Sequence, residues 1–167
     1  MFRTIADFET AFRSCAESTS RVMKALTDAS LSQSIEAQGR TLGRVAWHVA
    51  ASHKEMAERT GLVIQGPAHD APAPSHASAI SEAYDLSAKS LLAAVLSKWT
   101  DADLETEDAM YGQPWKRGYT LFILVVHEFH HRGQMTVLMR QAGLAVPGVC
   151  GPAREEWATF GMQAPEV

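Results

Sequence analysis

The segment VVHEFHHRGQM sets His127 and His131 four residues apart, in a stretch from Tyr119 to Gly143 that contains no proline. In a helix this spacing puts both rings on one face, separated by a rise of about 6 Å, and such a pair can converge on one ion at Zn–N distances of about 2.0–2.1 Å. The two histidines continue a stripe with Leu124, Met135 and Leu138, so they point inward. A metal satisfies one nitrogen of a buried imidazole and leaves the other to donate to a carboxylate or carbonyl. His48, three residues after Val45 on a separate apolar-periodic segment, can face the same interior and is the expected third ligand. A lone interior histidine is usually a hydrogen-bonded core residue. Two at this spacing, with a third on another helix, shift the balance to metal binding.

His127 to His131 also satisfies H-E-x-x-H, the zinc-peptidase pattern in which Glu128 would act as general base on a metal-bound water. Against it stand the lack of an evident strand to hold an extended substrate and the fact that it leaves His48 unexplained. In a bundle, Glu128 lies about 100° around the helix from His127 and reads as a surface carboxylate or one behind the ligands. His130 is expected at the edge of the ligand face. His53, about 140° from His48, and His69 and His76, in a proline-rich stretch, are expected to be solvated. Cys15 reads as core filling, and neither it nor Cys150 is an expected ligand. Gly133, costly inside a helix, suggests close packing or access at that turn.

Four long helices are needed to position these rings. Ile5, Phe8, Phe12, Cys15, Thr19, Val22 and Leu26 recur in steps of three and four and predict a helix over Thr4 to Ala29. Thr41 reads as an N-cap for a second, carrying Leu42, Val45, Val49 and Met56 to about Arg59. Pro67, Pro72 and Pro74 make the stretch from Gln65 to His76 a linker. Ile80, Tyr84, Leu91, Val95 and Trp99 mark a third helix, Asp101 to Gly118 a second long connection, and Tyr119 to Gly143 the fourth helix. A short terminal helix over Ala153 to Phe160 would pack Trp157 on the bundle. No segment alternates as a half-buried strand should. The prediction is one all-α domain over residues 1–167, a four-helix bundle with a short C-terminal helical segment.

Composition narrows the partners. With 46% hydrophobic and 20% charged residues the chain can bury a core unaided. A net charge of −4, with no local run of Lys and Arg, argues against nucleic acid. Two cysteines fit a reducing compartment, the cytoplasm by default. The longest apolar run, Leu121 to Val126, is far short of the roughly 20 residues of a membrane span.

Together, TLGRVAWHVAASH and HEFHHRGQMTVLMRQAGLAVPGVCGP resemble the DinB/YfiT-like metalloenzymes. The resemblance implies a four-helix bundle with a three-histidine site, one ligand from the second helix and two from H-x-x-x-H-R-G-Q on the fourth, here His48, His127 and His131. Where many relatives carry an aromatic after the final helix, this chain has Cys150. The family name implies no contact with DNA. What the resemblance does imply is a metal-dependent transferase moving a low-molecular-weight thiol onto an electrophile; imidazole-rich sites accept zinc, nickel, copper or iron, and zinc or nickel is the expected ion. Gln134, Tyr111 and Trp115 are candidates to line the mouth of the site, core packing being the commoner role for the two aromatics, and a homodimer is expected. The alternatives are the peptidase reading above and a non-catalytic metal-binding stress protein.

Overall fold

In the computed structural model, which describes residues 1–166, the four predicted helices form as α1 (Ile5–Lys24), α2 (Leu42–Arg59), α3 (Ala77–Lys98) and α4 (Arg117–Gln141). Thr4 Oγ1 accepts the Asp7 N–H and Thr41 Oγ1 the Arg44 N–H, so each of the first two helices starts on a hydroxyl cap. Helix α4 stops as its glycine dictates. Gly143 sits at φ +74°, its N–H reaching the Arg140 carbonyl and that of Leu144 the Met139 carbonyl, the paired bonds of a Schellman ending.

Helix α1 packs on α3 and α4, and α2 packs on the same two, so α1 and α2 lie on one diagonal of the bundle and α3 and α4 on the other. The start of α1 meets the start of α4 through Phe2 and Gly118 and the end of α3 through the bond from Ile5 N–H to Asp101. The start of α3 meets the end of α1 through His76 and Asp28. Helices α1 and α4 therefore run one way, α2 and α3 the other. Two successive parallel helices need a connection as long as the bundle, which explains the prolines of residues 65–76: they stiffen an extended strap. Trp47 Nε1 holds that strap by donating to the Ala71 carbonyl at 2.9 Å.

Three expectations need correction. Helix α1 ends at Lys24, short of Ala29, because Thr27 and Ser30 form a capping box that starts a separate 3-10 turn over Asp28–Ser32. The connection read as strand-free holds a hairpin, β1 (Glu107–Met110) paired antiparallel with β2 (Gln113–Lys116). Its two-residue turn, Tyr111 and Gly112, has φ of 51° and 83°, the left-handed pair that matches strand twist. Strands of four residues are too short to show alternation. The terminal helical segment forms within a residue of its expected start, as a 3-10 helix over Arg154–Phe160; the correction is to its depth, since Trp157 is half-buried and nothing in the segment is fully buried.

Gly118 shows how tightly the chain start is seated. A Cβ there would lie 2.3 Å from the Phe2 carbonyl oxygen, while Phe2 packs edge-on against Phe8 and Phe122. Gly118→Ala is expected to cost about 2 kcal/mol and lower the melting temperature by roughly 6 °C, as read by thermal denaturation.

Candidate metal centre

Helix α2 delivers His48 and antiparallel α4 delivers His127 and His131 to one point. Their Nε2 atoms face one another, His48 to His127 at 3.2 Å and His131 to His127 at 3.0 Å, and among the described residues this is the group of His, Cys, Asp or Glu side chains whose ligand atoms gather within 4.8 Å. Three nitrogens of a tetrahedral site with bonds of about 2.05 Å stand about 3.3 Å apart. The spacing therefore suits one small cation.

The protons point the same way. Gln134 Oε1 lies 2.7 Å from His131 Nδ1, and its amide nitrogen 3.2 Å from His130 Nε2, so the carboxamide oxygen accepts the Nδ1–H and leaves His131 Nε2 with a bare lone pair. His127 Nε2 can then donate to His131 or accept from His48, not both. Either way one of the two contacts is left without a hydrogen bond unless a cation lies between. Burial, and then mutual repulsion, hold His48 and His127 down at about 4, and burial also lowers His131, so the rings are neutral near pH 7, the form that binds metals. Arg44, one turn before His48 on the same face, and Arg40 add to the depression at His48 and have no acidic partner among the described residues. Two positive charges therefore act on the His48 ring.

Other histidines fall partly as expected. His130 is exposed beside His131. His69 is exposed too, yet the strap brings its ring to 6.5 Å from that of His48. His76 pairs with Asp28 at the surface. His53 is the correction: predicted to be solvated, it is wholly buried. Position 53 does face away from the triad, but α2 has buried residues around most of its circumference, and that far side looks into the bundle.

Glu128 corrects the peptidase reading. Its side chain is fully buried and turned into the core, where Oε1 takes a bond from His53 Nε2 at 2.7 Å and Oε2 takes bonds from Tyr84 at 2.8 Å and Thr19 at 2.9 Å. Burial alone would raise its pKa; His53 and the two hydroxyls outweigh that and hold it below the usual value, as a carboxylate. With its oxygens spent on the core, Glu128 is no base for a water beside the triad. Arg132, also buried, donates to Thr19 Oγ1 and the Cys15 carbonyl, joining the same cluster. The H-E-x-x-H spacing carried no signal that its acid would face inward. An i, i+4 pair with an acid beside the first ring looks the same in either setting.

The remaining mouth candidates separate. Gln134 touches the triad directly, through His131. Tyr111 donates to Glu55 at 2.6 Å under the Arg59 guanidinium, and Trp115 packs between Tyr111 and Tyr119. Glu55 lies seven residues past His48 on α2, about 10 Å along the axis, so the hairpin aromatics do not contact the three rings. Gly133 has open space where a Cβ would be, so close packing does not explain it.

These features agree with what the chain is similar to. The sequence model of the DinB family matches residues 1–166. The uncharacterized protein YrdA of Bacillus subtilis is 44% identical over 167 residues, all of both chains. A DinB-like protein of Bacillus cereus, known from its crystal structure, superposes with a TM-score of 0.86 at 44% identity, over 89% of this chain and 99% of that one. A second DinB-like protein, YjoA of Bacillus subtilis, shares the fold at 17% identity with a TM-score of 0.67, over 86% of this chain and 97% of that one. A bundle with three converging imidazoles, matched from end to end, thus makes this chain a member of the DinB family.

Proposed function

We propose that His48, His127 and His131 hold one divalent ion, zinc or nickel, and that the protein is a cytoplasmic metal-dependent transferase acting with a low-molecular-weight thiol. The observation that carries this reading is the meeting of three Nε2 atoms at 3.0–3.2 Å with one ring proton pinned away by Gln134. Neutral imidazoles leave a dipositive ion uncompensated, and an open coordination position on it lowers the pKa of a bound thiol or water toward neutrality. The chain's own part is to keep the rings unprotonated by burial, to fix the tautomer of His131 through Gln134, and to offer positive charge at Arg40 and Arg44 where a thiolate would approach.

Elemental analysis of the purified protein should give about one metal per chain for the wild type and none for His127→Ala. Assay of metal-loaded wild type with electrophiles and a panel of small thiols should give turnover that the variant lacks. One bound metal with no turnover for any thiol would favour a non-catalytic metal-binding role, and a wild type free of metal would remove the reading altogether.

The finer expectation of a homodimer finds support on the outer face of α4. Tyr119, Phe122, Val126, Phe129 and Val137 are all exposed there, and Gly133 falls in the same row without a side chain. Steps of three and four along one helix are the spacing by which two helices interdigitate, and the row holds no charge to oppose its own copy. A second copy of this chain, pairing α4 with α4, is the proposed occupant. Sedimentation should show a dimer for the wild type and a monomer for Phe129→Glu; a monomeric wild type would refute it.

A further inference from the structure

Glu128 follows His127 directly on α4, and His53 follows His48 by five residues on α2, so the bond between them joins the same two helices as the triad, about 7.5 Å farther along α2. Besides the triad's own contact, it is the polar link between these helices within the bundle; the bond from Arg117 to the Thr60 carbonyl lies at their far end. Each partner is held from behind. Ser87 of α3 sits 2.9 Å from His53 Nδ1, and Tyr84 and Thr19 occupy the second carboxylate oxygen, so neither group can swing without breaking further bonds. Both are shut off from water.

We propose that His53 and Glu128 form a positioning pair that fixes the rotation and axial setting of α4 against α2 and thereby holds His127 opposite His48, a role that rests on the triad being a metal centre. The demand on such a pair is strict. A slip of one residue along a helix is about 1.5 Å, whereas coordination distances tolerate about 0.2 Å. Gln134 cannot supply this, because it lies on the same helix as His131 and sets a ring, not a helix. Packing of small and apolar residues between the helices permits neighbouring registers; a buried donor and acceptor permit one.

The test is titration with Co(II), followed by visible absorption, on wild type, His53→Gln, Glu128→Gln and Tyr84→Phe, each also melted without metal. Tyr84→Phe takes one bond from the second carboxylate oxygen and leaves Thr19 bonded there and the link to His53 intact, whereas His53 Nδ1 has Ser87 alone behind it; the variant therefore controls for general loss of stability. Expected are a ten- to hundredfold weaker Co(II) affinity and a changed absorption band in His53→Gln and Glu128→Gln. Tyr84→Phe should melt lower yet keep its affinity within about twofold and its band unchanged. Wild-type affinity and spectrum in a destabilised His53→Gln would overturn the pair's role, as would an equal loss in Tyr84→Phe. Should the buried variants not fold, Ser87→Ala removes only the hydroxyl behind His53 and should weaken affinity several-fold; no change would count against the pair. A wild type that takes up no Co(II) would instead strike the metal-centre reading. The pair is then judged by the ring nitrogen NMR signals of His48 and His127: displacement in His53→Gln but not in Tyr84→Phe upholds it, and constancy refutes it.

Discussion

Three imidazole nitrogens held within hydrogen-bond distance, with too few protons to satisfy them, are the constraint on which the chemistry of this bundle turns. In water the rings would separate or take up protons. Here burial and the neighbouring arginines disfavour protonation, and the helices prevent separation. The energy of that arrangement is supplied elsewhere, by an apolar core that runs through all four helices from Phe8 and Phe12 to Leu124, Met135 and Leu138.

The carboxylate of Glu128 meets a side chain from each of the other three helices, Thr19 of α1, His53 of α2 and Tyr84 of α3. Taking a carboxylate out of water costs several kcal/mol, and its bonds offset this only together. The cluster is thus a poor source of net stability and a strong source of specificity. It admits one mutual arrangement of four amphipathic rods that apolar packing alone would leave looser.

Much of this was legible in the sequence. The period of three and four residues located the four long helices, the prolines located the strap, and the spacing of His127 and His131 with His48 named the rings that the fold brings together. What escaped notice had physical causes. The hairpin is too short for alternation to register, and its turn at Tyr111 and Gly112 lacks the commoner Asn-Gly or Asp-Gly pair. The buried fate of His53 depends on how much of α2 the other helices enclose, a tertiary quantity that no period on one strand of text contains. The inward turn of Glu128 is illegible for the same reason. A residue about 100° from an inward ligand can face solvent or a third helix, and only the diagonal placement of α3 decides which.

The strap between α2 and α3 returns the chain along the bundle before α3 begins, so the two halves of the triad are made far apart in time. His48 emerges from the ribosome 79 positions ahead of His127. A nascent chain carrying only its first three helices has one of the three rings. The ring set closes only when the fourth helix docks, so the cluster is a product of the completed fold and of no shorter length of chain.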